Sequence, residues 1–143
     1  GQGSIPDSSL GTPLSRASIF RRYGFAWITA GFLVITLAGH WVFAGTGLRD
    51  GDLFGVASLH ERCPGGASGH ETDKRTAQTP PEYVLLAKGT NPDEGGAEIV
   101  LREGIGPGRG AVFNVGSITY VPALLVDDAV SRITRNVLER FLD

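Results

Sequence analysis

Apolar residues are concentrated in one uninterrupted run in the N-terminal third of this 143-residue chain. Residues 24–45 contain no Asp, Glu, Lys or Arg, and the aromatic residues Trp27 and Trp41 lie toward the two ends of the run. A helix of this length would extend about 33 Å at the rise of an α-helix, which matches a hydrocarbon core of about 30 Å. The pattern therefore predicts a single transmembrane α-helix over residues 24–45.

The charges that flank the run predict its orientation. Arg16, Arg21 and Arg22 precede it, opposed only by Asp7, whereas Arg49, Asp50 and Asp52 follow it. Positively charged flanks remain on the cytoplasmic side of a membrane. We therefore expect an N-terminal tail over 1–23 inside, disordered unless bound, and the remaining chain on the periplasmic side of an inner (cytoplasmic or energy-transducing) membrane.

Beyond the run, the pattern predicts a Gly- and Pro-rich extended linker over 46–81 and a small α+β domain over 82–143. Short apolar segments bounded by turn residues indicate strands at 83–87 and 97–101. A third strand, at 111–115 and 118–121, is interrupted at Gly116.

The last segment of the chain has the apolar periodicity of an amphipathic helix. Asp127 or Asp128 is suited to cap its N-terminus. The apolar positions that fall on one face are Val130, Ile133, Val137, Leu138 and Phe141. Two interpretations remain open: the helix covers the sheet of its own domain, or its apolar face docks in a groove of another subunit.

Composition favours a chain that is stabilised by neighbours. The net charge of −2 gives no indication of nucleic-acid binding, and Cys63 is the only cysteine, which excludes an intrachain disulfide. A unit of about 60 residues buries only about 60% of the surface of its unfolded chain. These properties favour a subunit of a larger assembly over a free-standing enzyme.

His40 is the candidate cofactor ligand, because an imidazole inside a bilayer requires a partner. Its surroundings, small residues at Ala38 and Gly39 before it and Trp41 after it, resemble those of the ligand histidine in bacterial light-harvesting polypeptides. The resemblance implies ligation of bacteriochlorophyll, or by analogy haem. The sequence departs from that family at Thr36, where Ala is typical, and in its long outer domain.

Two further segments invite a chemical interpretation and do not meet its requirements. His60, Cys63 and His70 offer three ligands in one loop, whereas structural zinc sites use four. Residues 104–110 lack both the spacing and the Lys-Ser/Thr pair of a phosphate-binding loop, and Pro107 with Gly108 indicates a turn. We therefore predict no metal site and no catalytic residue.

The first functional hypothesis is a non-catalytic accessory subunit of a multi-subunit membrane complex, photosynthetic or respiratory, with other membrane subunits and the bilayer as its partners. The residues expected to contact partners are Gly31, Ala38, Gly39 and Trp41 in the span and Val130, Ile133, Val137 and Phe141 in the last helix. The alternatives are a pigment- or haem-binding subunit that uses His40, and an independent membrane-anchored periplasmic binding or signalling module.

Overall fold

The computed structural model of the protein describes residues 31–59, 66–104, 108 and 110–143. The strands within these ranges are β1 (Leu33–Ile35), β2 (Leu53–Phe54), β3 (Val84–Gly89), β4 (Glu98–Arg102) and β5 (Val112–Asn114). The helical elements are a 3-10 turn (Trp41–Phe43), a short helix α1 (Tyr120–Ala123) and a longer helix α2 (Asp128–Leu142).

The strands form one five-stranded sheet in the order β2-β1-β3-β4-β5. Every pair of neighbouring strands is antiparallel. Strand β1 lies between two partners, because Leu33 is opposite Phe54 of β2 and Gly89 of β3. The sheet therefore joins segments that the sequence assigns to the span, the linker and the outer domain.

The core lies on one face of this sheet. Side chains alternate between the faces of a strand, and the inward set includes Leu33 and Ile35 of β1 with Ile99 and Leu101 of β4. The 3-10 turn, α1 and α2 belong to the same buried cluster, to which they contribute Val42, Phe43, Tyr120, Ala123, Val130, Ile133 and Val137. The domain is thus a sheet covered on one side by helical elements.

The prediction of a transmembrane helix over 24–45 is wrong for residues 31–45, which form β1 and the 3-10 turn. Strand β1 is an inner strand that contributes to the core, and the apolar residues Phe32, Leu33 and Ile35 are all buried. Residues 24–30 and the tail over 1–23 lie outside the described residues. Of the helices that the structure describes, none combines the length and apolar character needed to cross a bilayer.

The expectation of a small α+β domain is confirmed, with a C-terminal helix and antiparallel strands. The segments at 83–87 and 97–101 become β3 and β4, each ending slightly later than predicted. The third predicted strand is correct only at β5, because residues 120–123 form α1. Asp127 is the N-cap of α2, since its carboxylate accepts a hydrogen bond from the backbone N–H of Val130 at 3.1 Å.

Candidate functional site

The apolar residues of α2 that the sequence predicts as partner contacts are inside the domain. Val130, Ile133 and Val137 are buried in the core cluster with the sheet. Of the two interpretations left open by the sequence, the structure therefore shows the one in which the helix packs within its own domain. Phe141, near the end of the helix, stays partly exposed, with 41% of its surface accessible.

The small residues predicted to permit contact between membrane helices have other roles. Gly31 lies so close to a neighbouring loop that a Cβ atom would be 1.9 Å from the carbonyl oxygen of Ser68. Its own carbonyl accepts a hydrogen bond from the N–H of Ser68 at 2.7 Å. Ala38 packs against the core, whereas a Cβ atom at Gly39 would have no neighbour within 4 Å. Gly31 is therefore required by internal backbone packing.

His40 caps the 3-10 turn. Its Nδ1 accepts a hydrogen bond from the backbone N–H of Val42 at 3.4 Å, and its ring centroid lies 5.3 Å from that of Trp41. Partial burial lowers the pKa of His40, and the negative charge of Glu103 opposes this shift in part. The helical span on which the pigment interpretation depended is not formed over 31–45, and one imidazole nitrogen already serves the backbone.

An open pocket lies beside this turn, where the ends of β4 and α2 meet the start of β5. It has a volume of about 440 Å³ and is lined by Trp41, Glu103, Gly104, Ala111, Arg140 and Phe141. The indole Nε1–H of Trp41 donates to the Oε1 of Glu103 at 2.6 Å, and the guanidinium of Arg140 lies 5.8 Å from the indole centroid. The pocket thus contains Trp41 and Phe141, which the sequence analysis predicted as partner contacts. It also contains two charged residues, Glu103 and Arg140, for which the sequence predicted no role.

A second surface is formed by apolar side chains around α1. Val121 belongs to α1, and Ile118 and Leu125 lie in the turns that precede and follow it. Ile118, Val121 and Leu125 are 46%, 63% and 84% exposed. Leu59 is 61% exposed, and its backbone N–H donates a hydrogen bond to the carbonyl of Pro122 in α1. We call these four residues the α1 face.

Buried polar groups hold the segment that carries the α1 face. The hydroxyl of Tyr120 is 3.1 Å from the Oγ1 of Thr134 in α2, and burial raises the pKa of Tyr120 to about 12. Asp127 accepts hydrogen bonds from the N–H groups of Val130 and Val56. Burial raises the pKa of Asp127, although these hydrogen bonds act in the opposite direction. The α1 face is consequently presented on a fixed support.

The remaining candidates of the sequence fall partly outside the described residues. His60 and Cys63 lie there, as does Arg109 of the predicted turn. His70 is described, and its Nε2 is 4.0 Å from the carboxylate of Glu71. Within the described ranges no group of three or more His, Cys, Asp or Glu side chains is arranged to hold a metal ion.

The fold defines the class of the protein as a small α+β domain with an antiparallel sheet and a packed C-terminal helix. A family model described as N,N-dimethylformamidase beta subunit-like, C-terminal, matches residues 19–132, which include all five strands, α1 and the first turn of α2. The chain belongs to this family. No curated protein matches the chain.

Proposed function

We propose that this chain is a non-catalytic assembly domain, which docks through the α1 face onto a separate, beta subunit-like polypeptide. The observation that carries the proposal is the α1 face itself, four large apolar side chains that are well exposed on a fixed segment. Single exposed apolar residues are ordinary on a protein surface, whereas several large ones around one short helix favour an interaction site.

The family description supports the choice of partner. It contains the words "beta subunit" and "C-terminal", which name a component of an assembly and a portion of a longer polypeptide. The partner that we propose is therefore a polypeptide that carries the remaining part of such a subunit. Burial of apolar area contributes about 25 cal/mol per Å², so an apolar partner surface would remove the cost of exposing Val121 and Leu125 to water.

Three titratable groups with shifted pKa values support a structural role. Asp127 caps α2, and the hydroxyl of Tyr120 is bonded to Thr134. Burial alone would raise the pKa of Glu98, but the hydrogen bonds and charge of Arg75 outweigh it and lower the pKa. Each of these side chains thus has an internal partner that fixes a loop or a helix.

The proposed function keeps the role in a multi-subunit assembly that the sequence favours, and this role does not require a membrane. The apolar residues at 32–43 that suggested a membrane segment are largely used in the core of the domain, as Leu33 and Phe43 illustrate.

The test uses tagged full-length chain in its native cells, with co-purifying polypeptides identified by mass spectrometry. We expect a beta subunit-like polypeptide in stoichiometric amount with the wild type. The double variant Val121→Ser/Leu125→Ser should lose it, because the apolar contact is replaced by hydroxyl groups. Leu138→Ser is the matched control, since Leu138 is 57% exposed and lies outside the α1 face. Recovery of the wild type alone, or equal loss in the control, would refute the proposal.

A further inference from the structure

The pocket beside the 3-10 turn is lined by two opposite charges that both contact one aromatic side chain. Trp41 binds the carboxylate of Glu103 at the edge of its indole ring, through Nε1–H. The guanidinium of Arg140 is placed over the face of the same ring. Among the described residues Arg140 forms no ion pair, with Glu103 or with any other carboxylate. The two charged groups thus contact different parts of the same indole ring, and both line the pocket.

The other walls of the pocket are apolar or small. Phe141 and Ala111 line it together with Gly104. A guanidinium offers parallel N–H donors that match the two oxygens of a carboxylate. The carboxylate of Glu103 has a second oxygen, Oε2, besides the one that accepts from Trp41, and this atom is an acceptor for an ammonium group.

We propose that this pocket binds a free α-amino acid with an apolar side chain. The carboxylate of the ligand pairs with Arg140, its ammonium group donates to Glu103, and its side chain lies against Phe141 and Ala111. The inference is independent of the assembly role, because the pocket and the α1 face have no residue in common.

The paired charges determine which molecules are rejected. A simple organic anion gains the contact with Arg140 but meets the negative charge of Glu103. A simple organic cation gains the contact with Glu103 but is repelled by the positive charge of Arg140. Specificity therefore comes from repulsion as well as attraction, and a zwitterion is the ligand class that satisfies both charges.

The binding test follows the indole N–H resonance of Trp41 by NMR in the full chain. Its assignment comes from loss of the signal in Trp41→Phe. L-Leucine is the probe, and we expect a saturable shift. Leucinamide, which lacks the carboxylate, and 4-methylpentanoate, which lacks the ammonium group, should each bind at least about tenfold more weakly, the equivalent of about 1.4 kcal/mol.

Charge-removing variants assign the two contacts. Glu103→Gln keeps an acceptor for Trp41 and should weaken the binding of leucine while improving that of 4-methylpentanoate. Arg140→Gln should weaken the binding of leucine and improve the binding of leucinamide. Arg135→Gln is the control, because the guanidinium of Arg135 is bonded to Glu139 on the same helix and does not line the pocket. A shift that does not saturate, equal affinity for the three molecules, or unchanged leucine binding in Arg140→Gln would overturn the inference.

Discussion

The buried stripe of α2 and the exposed α1 face are adjacent in sequence and have opposite environments. Val130, Ile133 and Val137 recur at helical spacing and are enclosed by the sheet. Ile118, Val121 and Leu125 also recur at helical spacing, yet remain exposed. The comparison shows that apolar periodicity identifies a surface that is suited to burial, whereas only the fold reveals whether the same domain buries it.

The largest difference should appear when one residue of each kind is truncated. Ile133→Ala should lower the free energy of unfolding by about 2–5 kcal/mol, because it leaves a cavity in the core. Leu125→Ala should change the stability of the isolated chain by at most about 0.5 kcal/mol, as is usual for surface positions. Urea denaturation measures both. Similar losses for the two variants would show that the α1 face is already covered within this chain.

Two glycines extend the comparison to the backbone. Gly31→Ala should lower the free energy of unfolding by about 1–3 kcal/mol, because the added methyl group collides with the carbonyl of Ser68 and forces the backbone to move. Gly39→Ala adds the same methyl group in open space and should be neutral or stabilising by up to about 1 kcal/mol. Thermal unfolding of the pair provides the measurement. An equally tolerated Gly31→Ala would contradict the close approach of the two segments.

The N-cap of α2 connects the two regions and should have a smaller effect. Asp127→Ala removes the acceptor of the N–H groups of Val130 and Val56, and we expect a loss of about 0.5–2 kcal/mol. Asp128→Ala is the control, because Asp128 is exposed in the first turn and its favourable interaction with the helix dipole is only about 0.3–1 kcal/mol. Chemical denaturation at constant pH distinguishes them, and a more damaging Asp128→Ala would exclude Asp127 as the principal cap.

The smallest predicted effect is the pH dependence caused by His40. Its pKa is lowered by burial, so the folded state binds fewer protons than the unfolded state. The free energy of unfolding is therefore unaffected by His40 above its unfolded pKa of about 6.5. Below that pH the free energy of unfolding decreases, until the pH has fallen through the lower pKa of the folded state. The measurement is the difference in unfolding free energy between wild type and His40→Gln across this pH range. A difference that does not vary with pH would contradict the assigned direction.

Much of the C-terminal half could be predicted from sequence because its signals are local. Asp127 before an apolar periodicity specified α2, and alternating segments between turn residues specified β3 and β4. The structure of residues 31–45 could not be predicted in this way. An apolar run fits a membrane helix, and it also fits an inner strand that is followed by a buried turn. The pairing of Leu33 with Phe54 and Gly89, distant in sequence, decides between them.

The pocket was predictable only in part. Trp41 and Phe141 are apolar aromatic residues in segments with clear patterns, so the sequence could single them out. Glu103 and Arg140 are ordinary exposed charges in the sequence, and only the tertiary fold places both of them in one pocket. The contact between Trp41 and Glu103 spans 62 positions in sequence, and no local pattern encodes it.

The central claim is that the α1 face contacts another part of a beta subunit-like assembly. Its most direct test is a photo-crosslinking amino acid placed at position 125 of the tagged chain in native cells, compared with the same group at position 138. We predict adducts at position 125 with peptides of a beta subunit-like polypeptide outside this domain, and none with that polypeptide at position 138. Absence of intermolecular adducts at position 125, or the same adducts at both positions, would contradict the account.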